Sequence, residues 1–179
     1  MNNELYAEVP STLGWVGGAC QGLAGVARYA DGKRALQRSG RFVPEHLRFY
    51  LAAQWGHFYR EMRDEKRAER WYRKAVALKS STATHVYLGA SLARQGRFAE
   101  AKRHHRLAIQ LATDPKYDAP DEAYFNLSLI LRAERKYSAA ATMLRKAIGL
   151  DRRYQVAKEA LRDVELAARL RKMNGRVNE

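Results

Sequence analysis

Seven positions recur three times along this chain at identical internal spacing. The first set is Ala52, Trp55, Gly56, Tyr59, Ala68, Tyr72 and Ala75. The second is His85, Leu88, Gly89, Leu92, Ala101, His105 and Ala108. The third is Tyr124, Leu127, Ser128, Leu131, Ala140, Leu144 and Ala147. A repeat of this period implies stacked units, because a single unit of that length cannot bury its own apolar face. The first four positions of each set fall three and one to three apart, which is one stripe of a helix. The last three read small, large, small. A second helix therefore carries alanines that let its backbone come close to the first, with a larger residue filling the space between. Gly56, Gly89 and Ser128 serve the same close approach from the other side.

These residues resemble the tetratricopeptide repeat family, over about residues 49–152. The resemblance implies an all-α fold: a right-handed α-solenoid of three helix pairs. Some positions depart from the family pattern. Ser80 and Arg152 replace the proline that often ends a repeat, and Pro115 stands near that place in the second copy. The sets begin 33 and then 39 residues apart, so the second linker, Asp114 to Pro120, is longer than usual and reads as a surface loop. Helices are expected over 44–62, 64–79, 82–95, 98–113, 121–134, 137–150 and 153–173. Pro44 suits a first-turn position. The last helix puts Ala157, Leu161, Val164 and Ala168 on one face, stops at Asn174-Gly175, and reads as a closing helix. The chain then divides into an N-terminal Gly-rich helical segment (1–43), three repeats (44–152) and a closing helix with a short tail (153–179).

Composition agrees with a folded helical chain: 46% hydrophobic and 29% charged residues, with four prolines in 179 residues. The single cysteine, Cys20, excludes an intrachain disulfide and any Cys/His zinc spacing, and points to an intracellular location, cytoplasmic or in an organelle matrix. Glu4 and Glu8 stand where a targeting signal would be basic, and the uncharged stretch Val9 to Ala27 is too polar for a good membrane span. Any membrane association is then peripheral. The net charge of +14 is spread along the chain and favours an acidic partner.

No catalytic set, cofactor motif or metal spacing emerges. His104 and His105 are adjacent and point apart on a helix, and His85 and His105 occupy packing positions of the repeat. Gly25 and Gly32-Lys33 do not make a phosphate loop. Acids such as those in Arg63 to Arg70 alternate with bases and read as a solvated face. Two surfaces remain. A basic outer face gathers Lys66, Arg70, Arg73, Lys74, Lys102, Arg103 and Arg106 on second helices. It is either a solvated face or a dock for phosphates or an acidic protein.

The family resemblance implies the other surface, a concave groove lined by first helices. It carries over to Tyr50, His57, Arg60, Val86, Tyr87, Arg94, Phe125, Asn126, Leu129 and Arg132, a composition suited to protein binding. One subset of the family grips a C-terminal carboxylate. Of the corresponding positions Ala53, His57, Tyr87, Glu122 and Asn126, only Asn126 suits that task. The expected role is an adaptor, scaffold or assembly factor that holds a peptide or helix bearing acidic and apolar groups. The alternatives are a basic subunit of a nucleic-acid-associated complex, or an assembly factor for a membrane complex acting through the N-terminal segment. There Gly14, Gly18, Gly22 and Gly25 make a glycine face suited to close docking.

Overall fold

The computed structural model describes residues 26–113, 118 and 120–177. Eight α-helices follow in order: α1 (Val26–Ser39), α2 (Arg48–Glu61), α3 (Glu65–Leu78), α4 (Thr82–Arg94), α5 (Phe98–Leu111), α6 (Asp121–Ala133), α7 (Tyr137–Leu150) and α8 (Gln155–Val177). The chain is an all-α solenoid. Helices α2 and α3, α4 and α5, and α6 and α7 make three antiparallel pairs. The second helix of each pair rests on the first helix of the next, and α7 rests on α8.

Local chemistry sets the helix ends. Asp64 caps α3 by accepting the Arg67 backbone N–H at 2.9 Å. Ser81 and Thr84 form a capping box at the start of α4. Two boundaries differ from the sequence expectation. Pro44 does not open α2. Its ψ of 153° is extended, its carbonyl accepts the Leu47 N–H at 3.0 Å, and a 3₁₀ turn (Glu45–Leu47) precedes the helix. At the other end α8 continues through Asn174-Gly175 to Val177. A glycine inside a helix costs only about 1 kcal/mol, so it ends one only where another conformation gains more. Helix α1 packs on the first pair: Leu36 is fully buried with Trp55 and Phe58, and Tyr29 meets the Phe58 ring edge-on. The proposed glycine face at Gly14, Gly18, Gly22 and Gly25, and most of the linker from Asp114 to Pro120, lie outside the described residues.

The repeated positions form the core. Ala68, Ala101 and Ala140, and likewise Ala75, Ala108 and Ala147, have no solvent-exposed surface. Between them Tyr72, His105 and Leu144 are buried as well. A Cβ placed on Gly56 would stand 2.4 Å from the Tyr72 ring, and one on Gly89 would stand 2.7 Å from the His105 ring. Where a ring fills the second helix, the first helix therefore needs glycine. The third pair has Leu144 in place of a ring, and Ser128 in place of glycine. Buried Ser128 turns its hydroxyl back to the Phe125 carbonyl at 2.6 Å. One cluster joins Tyr72 of the first pair to Leu88, Leu92 and Ala101 of the second and Ile130 of the third, so the core is continuous across the stack.

The turn inside each pair repeats too. Arg63, Gly96 and Arg135 all have positive φ (57°, 76° and 58°). The residue after each donates its N–H to a carbonyl five residues back: Asp64 to Tyr59, Arg97 to Leu92 and Lys136 to Leu131. Two of these three left-handed positions carry arginine, at a cost of about 1 kcal/mol or more each.

Gly96 and Gly89 are thus needed for different reasons, and two substitutions separate them. Nothing lies within 4 Å of a Cβ at Gly96, so Gly96→Ala should cost about 1 kcal/mol through backbone strain alone. Gly89→Leu must displace the His105 ring and should cost about 1–3 kcal/mol. Denaturant unfolding measures both, and a Gly89→Leu variant as stable as the parent would remove the close contact.

Candidate binding groove

The first helices α2, α4 and α6 lie side by side, and the groove implied by the family resemblance corresponds to the stripe they leave exposed. Its centre is an aromatic and basic cluster. The His57 ring meets the Tyr87 ring edge-on at 4.5 Å, and His57 Nδ1 lies 2.9 Å from the Tyr72 hydroxyl. Burial pushes the Tyr72 phenol well above its ordinary pKa. Burial, then the Arg60 and Arg94 guanidiniums, lower His57 to about 4. A neutral imidazole thus faces a neutral phenol. The phenol is the stronger donor, which leaves the imidazole proton on Nε2.

Acids at the end of α2 and the start of α3 hold the flanking arginines. Arg60 pairs with Glu61 at 2.8 Å, and Arg94 pairs with Glu65 at 2.6 Å. The Ser91 hydroxyl donates to the other Glu65 oxygen at 3.0 Å. Glu122 at the start of α6 has its carboxyl raised by the protein around it and by Asp121, with Arg60 opposing.

Beside this cluster lies a cleft of about 220 Å³ between α4 and α6, lined by Ala90, Ala93, Arg94, Phe98, Asn126, Leu129 and Ile130. The Asn126 Nδ2 is buried there and has no hydrogen-bond partner. Such a donor costs free energy until an acceptor reaches it. The remaining expected groove residues divide. Leu129 and Arg132 are exposed. Tyr50 is half-buried against Val43 and Leu47, and Phe125 is half-buried with its ring 5.2 Å from Tyr154. Val86 is only 3% exposed and packs with Ala108 and Ala123, so it lies beneath the groove floor.

The basic outer face is partly neutralised. Arg73 bonds Glu69 at 2.8 Å and approaches Glu100 at 3.8 Å, Lys102 pairs with Glu134, and Lys74 sits 5.0 Å above the Trp71 ring. Lys66, Arg70, Arg103 and Arg106 are exposed and make no ion pair with a described residue. The acids between Arg63 and Arg70 are more than a solvated face. Glu69 accepts hydrogen bonds from Gln95 and Arg97 of the next pair as well as from Arg73. Burial works against its carboxylate, yet these bonds prevail and hold its pKa below the usual range. Sequence periodicity could not reveal this, because the partners lie 26 and 28 residues away.

Three other histidines pack inside the second pair. His85 and His104 stack with their Nδ1 atoms 2.9 Å apart, Ser80 reaches His85 Nε2 at 3.0 Å, and neither ring nitrogen of buried His105 has a partner. Among the described residues no group of three or more His, Cys, Asp or Glu is arranged to hold a metal ion. None of their helices is long and apolar enough to cross a membrane.

Models of the tetratricopeptide repeat match residues 53–82 and 80–153. No curated protein matches the chain in sequence. Among solved structures it is similar to a MamA RS-1 ArsTM double mutant, with a TM-score of 0.56 and 16% identity over 90% of this chain and 97% of that one. It is also similar to the C-terminal part of a TPR repeat-containing protein from Cytophaga hutchinsonii, with a TM-score of 0.41 and 11% identity over 87% and 71% of the two chains. The first likeness supports the fold.

The buried histidines make stability depend on pH. Burial lowers His105 to about 4, with His104 adding to the shift. Its folded pKa lies below the unfolded value, so the unfolded state binds more protons as pH falls. Stability is therefore full above about pH 6.5 and declines from there to about pH 4. By pH 5 His105 alone should cost about 2 kcal/mol. His105→Leu, which copies the third pair, should lessen the fall of the thermal midpoint between pH 7 and 5, leaving the share of His57 and His104, which burial also lowers to about 4. An unchanged slope in that variant would show that His105 is not the source.

Proposed function

Because the chain belongs to the tetratricopeptide repeat family, whose repeats make protein–protein interaction scaffolds, we propose that it is an adaptor or assembly factor that holds a segment of a protein partner in the groove of α2, α4 and α6. The observation that carries this reading is the buried, unpartnered Asn126 amide, set beside an apolar cleft and the Arg94 guanidinium. A partner backbone carbonyl or carboxylate would satisfy the amide, and an apolar side chain would fill the cleft. Neutral His57 adds an N–H donor and an aromatic edge next to Tyr87. The role is one of binding without catalysis.

A second reading assigns the outer face to an acidic or phosphate-bearing partner such as a nucleic acid. Exposed Lys66, Arg70, Arg103 and Arg106 favour it. The two readings differ in salt dependence. Binding through phosphates falls steeply with ionic strength, whereas an apolar groove loses little.

Asn126→Ala is the discriminating variant. Its Nδ2 has no partner in the free protein, so the thermal midpoint should stay put while partner affinity falls about tenfold, or about 1.4 kcal/mol. Tyr87 is less suitable, because it packs against three buried clusters and its removal also costs stability. Partner affinity measured by calorimetry that ignores Asn126→Ala but collapses on charge reversal at Arg70 and Arg103 would move the function to the outer face.

A further inference from the structure

The groove does not end at α6. Leu129 borders two clefts: the one shared with Asn126, and a larger one of about 630 Å³ between α6 and α8. Leu129, Leu166 and Leu170 give the larger cleft its apolar walls, and Arg132 and Arg135 stand on its rim. The cleft exists because α6 and α8 do not pack on each other as α2 does on α4 and α4 on α6. Leu166 and Leu170 are four residues apart on one face of α8, and are 58% and 50% exposed.

Closing the solenoid does not require those leucines. Ala157, Ala160 and Val164 already cover α7. A helix that only closed the stack would be polar on its free face. Helix α8 also runs 23 residues, against 13 or 14 in the other helices. Its extension is held in place, since Arg171 donates to the Arg135 carbonyl at 2.9 Å. Arg132 and Arg135 make no ion pair with a described residue, and Asp163 is the acid that lines the cleft.

We propose that the α6–α8 cleft is a docking site for an acidic amphipathic segment of a protein partner. An apolar side chain seats against Leu129, Leu166 and Leu170, and carboxylates meet Arg132 and Arg135. The proposal rests on the groove reading, of which it is the C-terminal extension: the same segment runs on past Leu129 toward Asn126. Charge selects this occupant over a second copy of the chain. With a net charge of +14, and with Arg162, Arg169, Arg171 and Lys172 on α8 itself, a second copy would bring cations onto cations.

The test is a display library of random 16-residue peptides selected on the full chain, with enriched peptides resynthesised and their affinities measured by fluorescence anisotropy. Enriched peptides should combine apolar residues with an excess of Asp and Glu. Leu166→Glu and Arg132→Glu should each weaken them at least tenfold without changing the thermal midpoint, since both side chains are exposed. Peptides that respond to Asn126→Ala but to neither of those changes would overturn the cleft and leave the groove standing. Enrichment of apolar peptides without acids would overturn the charge argument. No enrichment, or indifference to all three variants, would overturn cleft and groove together. A dimer in sedimentation equilibrium that Leu166→Glu dissolves would assign the cleft to a second copy instead.

Discussion

Everything in this fold follows from how closely two helix backbones can approach. Six alanines on the second helices have no exposed surface, and two glycines on the first helices face rings that leave no room for a Cβ. Close approach fixes the crossing of each pair, and the crossing fixes which stripe of the first helix is left to face outward. The groove is therefore a by-product of small residues elsewhere. A packed interior transmits such constraints because it has little free volume to absorb a change.

The same constraint explains what the sequence disclosed. Gly56, Ala68 and Ala75 and their counterparts sit where geometry permits few alternatives, so the spacing alone reveals the helix pairs and their order. Helix ends were readable to within a few residues, apart from the 3₁₀ turn after Pro44 and the passage of α8 through Gly175. Arg63 and Arg135 concealed the repeated left-handed turn, because arginine carries none of the signal that Gly96 gives. For the expected groove residues the sequence offers positions but not depth. Val86 lies beneath the floor, since alternation along a helix cannot say how far the neighbouring pair encroaches.

The polar interior shows a second departure from pattern. Histidine takes packing positions in the first and second pairs, and the protein holds it neutral rather than supplying a carboxylate to it. His57 leans on a phenol and His85 on another imidazole, arrangements that need one shared proton and no net charge. Burial without a counter-ion favours the neutral ring. This keeps the centre of the groove free of fixed positive charge even though arginines stand on both sides of it, so the field at the groove comes from guanidiniums that Glu61 and Glu65 already hold in position.

Glu65 and Glu69 belong to the first pair, yet they hold Ser91, Arg94, Gln95 and Arg97 of the second. The latch is split across the joint between units. A repeat cut from this chain and spliced into another array would leave with half of each bond. Its arginines would then be unmatched in the new neighbour, or its acids would be stranded at a new seam. The first and second pairs are therefore interchangeable only as an adjoining couple, moved with their shared joint intact.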